Sequence, residues 1–600
     1  MRSVKINRRF VVVPVVVTLA ASFALYAARL YRSGATPPAP APARQPADGK
    51  SPADYVDSLI RTMSVEEKVG QLFMVGFPGK VMGYEARTLV EDYHVGGVIL
   101  FARNVDSPAQ VAYLTNQLQQ AATASGARIP LLIAADQEGG TVNRLGPKAT
   151  IFPGQMALGA TGSVEFARRQ GEITGQELRT VGINVNFAPV VDVNNNPRNP
   201  VIGIRSLGED PQAVSRLAVA YIEGLQKAGV MATAKHFPGH GDTTVDSHVG
   251  LPVINHPRER LETVELAPFR AAIAAGVQAI MTAHIVFPSI DSTPGLPATL
   301  SEKVLTGLLR NEMGFSGLIF TDALEMGAID KTYGIEEAAV MALRAGADVM
   351  LIAWPKDWYD AVRAIKRVVE AVKQGEVKQE RVDAAVRRVL LAKYNLGLFQ
   401  KNQVDQGKVN ELVGRAENRE VGLEIARRSI TVVRNSAGLL PLKSGYTGRV
   451  LVIGPQETTL TGVEELGAAS STLGKAVRSG AKNVTEYLYP VRSFDPAAAV
   501  AQARQADLII VGTYRASQYR SQVDMVNQLL QLGKPVIVIA LREPYDIMEF
   551  PQVKTYIATY GTSTVSMTAL GDILFGRIKP AGKLPVSIPN VAQAGTGLSW

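Results

Sequence analysis

At 600 residues the chain is too long for one hydrophobic core and is expected to divide into at least two domains. Its composition, 46% hydrophobic and 20% charged, is that of a globular protein, and the absence of cysteine excludes disulfides, thiolate nucleophiles and Cys-ligated metal centres. The net charge of +9 favours anionic surroundings, but no basic stripe interleaved with aromatics accompanies it, so no nucleic-acid partner is expected.

The first segment reads as an export element. Arg2, Lys5, Arg8 and Arg9 precede an uncharged, mostly apolar run over residues 10–28, and Arg29 and Arg32 follow. That run sits at the short edge of the roughly 17–25 residues that span a bilayer. A cleavage site near Ser33-Gly34-Ala35 is poor because Tyr31 and Arg32 intervene. Residues 1–36 are therefore expected to be a retained membrane anchor, or a secretion signal if cleaved, with the catalytic body outside the cell or in its envelope. The Pro/Ala-rich residues 37–50 read as an extended linker.

From residue 51 to about 404, short apolar runs alternate with amphipathic helical patterns. The runs cover residues 69–77, 95–101, 129–136, 183–193, 230–236, 277–285, 317–322 and 348–353. This alternation fits a (β/α)8 TIM-type barrel and also a doubly wound sheet. The polar residues decide between them: Asp136, Asp192, Lys235, His236, His284 and Asp322 all fall at or just past the ends of their runs. One site fed by many strand ends is barrel behaviour. Residues 405–600 hold a second series of runs, at 430–433, 449–453, 484–489, 508–511, 536–540 and 555–559, and are expected to form an α/β/α sandwich domain. No internal repeat is present.

The densest chemistry lies in His236-Phe237-Pro238-Gly239-His240-Gly241-Asp242-Thr243-Thr244-Val245-Asp246-Ser247-His248, which carries three of the six histidines. Asp246 and His248, two residues apart, point the same way in an extended stretch, so the carboxylate can orient the imidazole for proton transfer. The same residues also read as a solvated loop pair, or, with His236, His240 and Asp242, as metal ligands, although the spacing matches no compact pattern such as H-E-x-x-H. Asp322, in Thr321-Asp322-Ala323-Leu324-Glu325-Met326, has two readings. It is a helix N-cap with Glu325 completing a capping box, or a carboxylate nucleophile for an anomeric carbon. Asp136, Arg144 and Arg205 suit bidentate bonding to vicinal hydroxyls, or structural ion pairing.

Together these segments resemble glycoside hydrolase family 3, in its β-N-acetylglucosaminidase branch. The resemblance rests on Ala135-Asp136-Gln137-Glu138-Gly139-Gly140, the Arg205 segment, Lys235-His236-Phe237-Pro238-Gly239-His240-Gly241-Asp242-Thr243, Asp246-Ser247-His248 and Thr321-Asp322-Ala323-Leu324-Glu325-Met326. It continues in Arg428-Ser429-Ile430-Thr431-Val432-Val433-Arg434-Asn435 and Gly576-Arg577-Ile578-Lys579-Pro580-Ala581-Gly582-Lys583-Leu584-Pro585. What the resemblance implies is a retaining double displacement without metal or organic cofactor. Asp322 matches the nucleophile and His248 the general acid/base, with Asp246 as its partner on a mobile loop. Asp136, Arg144, Arg205, Lys235 and His236 match residues that hold the terminal sugar. The implied substrates are glycans ending in N-acetylglucosamine, such as cell-wall muropeptides. A neutral imidazole does not repel an anionic acceptor, so phosphorolysis stays open beside hydrolysis, as does a β-glucosidase on the same scaffold. Other members of the family take the acid from the second domain, where Glu543 is the nearest candidate.

Overall fold

A computed structural model describes residues 51–354, 357–464 and 472–600. The expected export segment, 1–36, and linker, 37–50, lie outside the described residues. Among the described residues no helix is long and apolar enough to cross a membrane.

Eight parallel strands form the first sheet: β1 Phe73–Val75, β2 Gly97–Leu100, β3 Leu132–Ala135, β4 Val185–Asn186, β5 Met231–Phe237, β6 Ala279–Thr282, β7 Leu318–Phe320 and β8 Met350–Ile352. Each arises from one of the eight apolar runs, and every residue in them is buried. Burial on both faces is what continuous apolar runs, rather than alternating ones, encode. The strands pair in chain order, with β1 also beside β8. A bridge between Phe320 and Val349 joins β7 to the start of β8, and the sheet becomes a TIM-type barrel. Asp348 fastens this seam. Its fully buried carboxylate accepts the Ile319 N–H at 3.0 Å and faces Arg310, Arg388 and Arg381.

The outer helices start where the sequence supplies caps. Ser107 accepts the Gln110 N–H at the head of Pro108–Ala124, and Asp210 accepts from Gln212 and Ala213 at the head of Pro211–Lys227, each with proline in the first turn. The β4 run is the one most cut down. Its hydrogen-bonded ladder ends at Asn186, and the chain then runs through Pro189 into a single bridge between Val190 and Lys235.

The second sheet has six strands, β9 Thr431–Asn435, β10 Tyr446–Pro455, β11 Ala481–Tyr489, β12 Leu508–Thr513, β13 Val536–Ala540 and β14 Thr555–Ala558, in the order β11-β10-β12-β13-β14-β9. Only the β14–β9 pair is antiparallel. Alternate residues feed two separate cores, as the period of two requires. Leu451, Ile453, Ile509, Val511 and Val538 join one core; Val450, Val452, Leu508, Ile510 and Ile539 join the other. The first core contains Val523, Val526 and Leu529 of helix Arg520–Gln531 together with Met156, Ala157 and Ile204 from the barrel side. The second contains Leu570, Ile573 and Leu574 of helix Thr564–Leu574. Helices on both faces make this an α/β/α sandwich, and one of its cores is shared with the barrel.

Candidate active site

A cavity of about 300 Å3 opens at the carboxyl ends of the barrel strands. Asp136, Arg144, Arg205, Lys235, His236, His248 and Asp322 all line it. The structure thus gathers seven of the eight candidates from the ends of β3, β5 and β7 and from the loops that follow β3, β4 and β5, and Asp246 stands behind His248.

The deep end is charged and almost dry. Lys235 and His236 end β5, where Lys235 Nζ donates to Asp136 Oδ1 and pairs with Glu138 Oε1, both at 2.8 Å. Arg205 grips Glu138 bidentately, Nε to Oε2 at 2.9 Å and Nη2 to Oε1 at 2.8 Å. Arg144 Nη2 lies 3.6 Å from Asp136 Oδ2 and donates to Val463 O at 3.0 Å. Burial works against the Glu138 carboxylate, but the adjacent Arg205 and Lys235 charges outweigh it and hold its pKa far below the ordinary range. The same pairing keeps Lys235 protonated against its own desolvation, because Asp136 and Glu138 raise its pKa. Glu138 is not among the candidates that the sequence offers. Its signal was the two-residue spacing from Asp136 on a strand-end segment, but its partner Arg205 lies 67 residues on.

His236 is fixed by Asp192: Nδ1–H donates to Oδ2 at 2.7 Å, and Oδ1 also takes the backbone N–H groups of His236 and His240, at 3.1 and 2.7 Å. Burial disfavours the Asp192 carboxylate, yet His236 holds its pKa below the ordinary value. The ring keeps Nε2 free to face the cavity. His240 is structural. It is buried between Thr243 Oγ1 and Ser247 Oγ, both at 2.9 Å, and burial followed by the His236 charge pushes it down to about 4.

The rest of the loop carries His248 across the cavity. Its Nδ1–H donates to Asp246 Oδ1 at 2.7 Å, which leaves Nε2 for proton transfer. Ser247 O and His248 O accept the N–H groups of Ala328 and Gly327, and a side chain on Gly327 would strike His248 O at 2.8 Å. Gly241 is packed as closely; an added carbon would lie 1.8 Å from Val193 O. Glycines in this motif serve close backbone approach.

Asp322 follows β7. Its Oδ1 accepts the next residue's N–H, Ala323, at 2.8 Å, and its own N–H reaches Thr282 Oγ1 at 3.4 Å. The capping reading fails, since the following helix, Gly327–Tyr333, starts after Met326. Glu325 closes no capping box: its Oε1 accepts the N–H groups of Ala353, at 2.9 Å, and Trp354. Burial raises the Asp322 pKa, but the imidazoles of His284, His236 and His248 more than offset that, so it stays ionised. His284, expected to feed the site, instead lies below it. Its Nε2–H donates to Ala323 O at 2.9 Å, and Nδ1 meets Thr299 Oγ1 at 2.8 Å. Burial depresses its pKa.

The metal-ligand reading of the histidine loop finds no convergence. His236, His240 and His248 each bond a different partner, as described. Among the described residues, the carboxylate–histidine group that does converge is Asp242, His256 and Glu265, with ligand atoms within 4.8 Å of one another. Arg260 already supplies positive charge there, 3.3 Å from Glu265 and 3.8 Å from Asp242. Glu543 is equally committed. It is buried against Arg515 and Arg542, and these charges overcome desolvation to hold it at about 2, so it has no proton to give.

The profile of the glycosyl hydrolase family 3 N-terminal domain matches residues 64–392, and that of its C-terminal domain matches residues 430–597. The chain belongs to this family. A β-hexosaminidase A from Pseudoalteromonas piscicida is 34% identical over 84% of this chain and 91% of its own length. A β-N-acetylglucosaminidase/β-glucosidase from Cellulomonas fimi is 30% identical over 89% of this chain and 95% of its own. Among solved structures, a family 3 β-N-acetylglucosaminidase from Paenibacillus sp. str. FPU-7 superposes with a TM-score of 0.81 at 40% identity, covering 88% of this chain and 99% of that one. Family membership makes the chain a glycoside hydrolase.

Proposed function

We propose that this protein is an exo-acting, retaining β-N-acetylglucosaminidase. The observation that carries the reading is one cavity lined by both an ionised Asp322 and the free imidazole edge of a carboxylate-oriented His248. Its volume, about 300 Å3, suits a single terminal sugar. Asp322 attacks the anomeric carbon while His248, protonated at Nε2, gives its proton to the departing glycosidic oxygen. The glycosyl ester on Asp322 is then attacked by water, whose proton passes to His248 Nε2. Asp246 holds the ring and stabilises the imidazolium. The Asp136, Lys235, Arg144, Arg205 and His236 set, dense in fixed donors and acceptors, holds the hydroxyls and the acetamido group.

The names of the relatives from Pseudoalteromonas and Paenibacillus support the N-acetylated sugar. Arg2, Lys5, Arg8 and Arg9 before the apolar residues 10–28 support an exported enzyme tethered to the membrane, acting on cell-wall muropeptides. The basic net charge of +9 suits an anionic envelope.

The test is chromophore release from an aryl N-acetyl-β-glucosaminide by the wild type, Asp322→Ala and His248→Ala, each with and without EDTA. The proposal expects turnover indifferent to EDTA, near-abolished by the first substitution and strongly reduced by the second. Turnover of the glucoside alone would move the enzyme to the β-glucosidase side, which the Cellulomonas relative's double name also covers. Activity that survives Asp322→Ala would end the glycosyl-ester mechanism. Replacing water by inorganic phosphate and looking for the sugar 1-phosphate separates hydrolysis from phosphorolysis.

A further inference from the structure

The cavity is graded along its length. Lys235, Arg144, Arg205 and His236 at one end are at most 5% exposed, whereas Trp354 at the other is 45% exposed. Trp354 follows β8, and its indole is backed without being covered. The Arg103 guanidinium carbon sits 3.9 Å from the ring centroid, and the Phe101 ring lies 4.2 Å away at 52°. Arg103 is itself anchored, Nε donating to Phe77 O at 3.1 Å and Nη2 to Ala353 O at 2.8 Å. Glu325 Oε1 holds the backbone on either side of the Ala353–Trp354 peptide. The molecule thus invests a guanidinium, an aromatic ring and a buried carboxyl in fixing an indole that remains half open at a cavity mouth. Tryptophan is highly buried on average, so an indole held 45% exposed at a cavity mouth presents aromatic surface to a ligand.

We propose that Trp354 is the platform for the leaving-group sugar: the apolar C–H face of the second pyranose ring stacks on the open face of the indole while the terminal sugar fills the charged end. This rests on the exo-glycosidase reading above. The occupant is a sugar ring because the surface offered is flat and aromatic, and because it is continuous with the cavity that takes the first sugar. Arg103 behind the ring donates to carbonyl oxygens, so its part in the platform is to hold the indole in place. A second aromatic group follows in the chain. Trp358 meets Tyr84 at 6.0 Å and Tyr359 at 4.1 Å, and these two tyrosines are 70% and 48% exposed.

The experiment compares wild type, Trp354→Ala and Trp354→Phe on two substrates that share the terminal sugar: methyl N-acetyl-β-glucosaminide, whose leaving group has no ring, and N,N′-diacetylchitobiose. Trp354→Ala is expected to lose about tenfold or more in kcat/KM on the disaccharide, mainly through KM, and to stay within about twofold of wild type on the methyl glycoside. Trp354→Phe restores most of the loss. Equal losses on both substrates would overturn the proposal by placing Trp354 with the terminal sugar or the fold. No loss on either would overturn it too, and would leave the patch to another partner such as a protein. If wild type is silent on both, the function reading falls separately; the same variants are then compared on methyl β-glucoside and cellobiose, where the same contrast upholds or overturns the platform, and silence there as well overturns it.

Discussion

His236 Nδ1 lies 2.7 Å from Asp192 Oδ2, and His248 Nδ1 lies 2.7 Å from Asp246 Oδ1. The bonds match; the surroundings do not. The first pair is buried, its side chains 7% and 0% exposed, and Asp192 also ties down two backbone N–H groups at the end of β5. The second pair is 30% and 18% exposed, and the further bond to Asp246 Oδ1 comes from the backbone of His248 itself. A short histidine–carboxylate bond therefore does not define a role. In one place it is part of the strand end and presents a fixed ring nitrogen to the cavity. In the other it orients a ring on a loop that water can reach, which suits the proton-transfer role proposed for His248. Both imidazoles also hold the carboxyl of Asp322 below its ordinary value.

The strongest way to break the comparison is to remove the proton carrier. His248→Ala should lower kcat by about 10²–10⁴-fold with the thermal midpoint nearly unchanged, and the loss should shrink on substrates with acidic leaving groups, which need less protonation. A loss of activity matched by a loss of fold would erase the distinction. The buried pair predicts the reverse pattern. Asp192→Ala leaves three donors at a strand end without their acceptor, and breaking a buried pair costs about 3–5 kcal/mol, readable from urea unfolding. A variant as stable as wild type would show that Asp192 is not structural. Asp246→Ala sits between: stability changes by about 1 kcal/mol, as for a partly buried pair that water screens, while kcat falls by about tenfold, less than loss of the proton carrier itself. Equal stability losses in Asp192→Ala and Asp246→Ala would make the two pairs one class after all.

Which of these features could be read from the chain depends on how far apart the partners lie. The fourteen strands among the described residues arise from local runs in the sequence, and the position of Asp136, Lys235, His236 and Asp322 at strand ends distinguishes a barrel from a doubly wound sheet. The Asp246–His248 pair was legible because two residues in one loop set it. Asp192 was visible as a strand-end carboxylate, but not as the partner of His236, which lies 44 residues away. Glu138 was hidden for the same reason, and so were Gly462 and Val463, which come from the sandwich to line the barrel's cavity. The N-cap reading of Asp322 was locally sound. It fails because the helix starts later, after Met326, a boundary set by the loop carrying His248, whose carbonyl takes the Gly327 N–H.

Glu325 gives the finest test of the cavity wall. Desolvation pushes its carboxyl up to about 7, against the N–H groups of Trp354 and Ala353, and the charge of Asp322 adds to the rise. In the unfolded chain it titrates near 4.5. Between those values the folded protein keeps a proton that the unfolded chain has lost, so its contribution to stability is fully present below the lower pKa and disappears as pH rises through the upper one. Glutamine at this position is neutral throughout and still offers an oxygen to both N–H groups. The thermal midpoint of Glu325→Gln relative to wild type should therefore rise steadily from pH 5 to pH 8. Asp546, also pushed up to about 7 by burial, tilts both curves alike and cancels in the difference. Parallel curves would mean that Glu325 is ionised in the folded protein, with a second negative charge standing beside Asp322 at neutral pH.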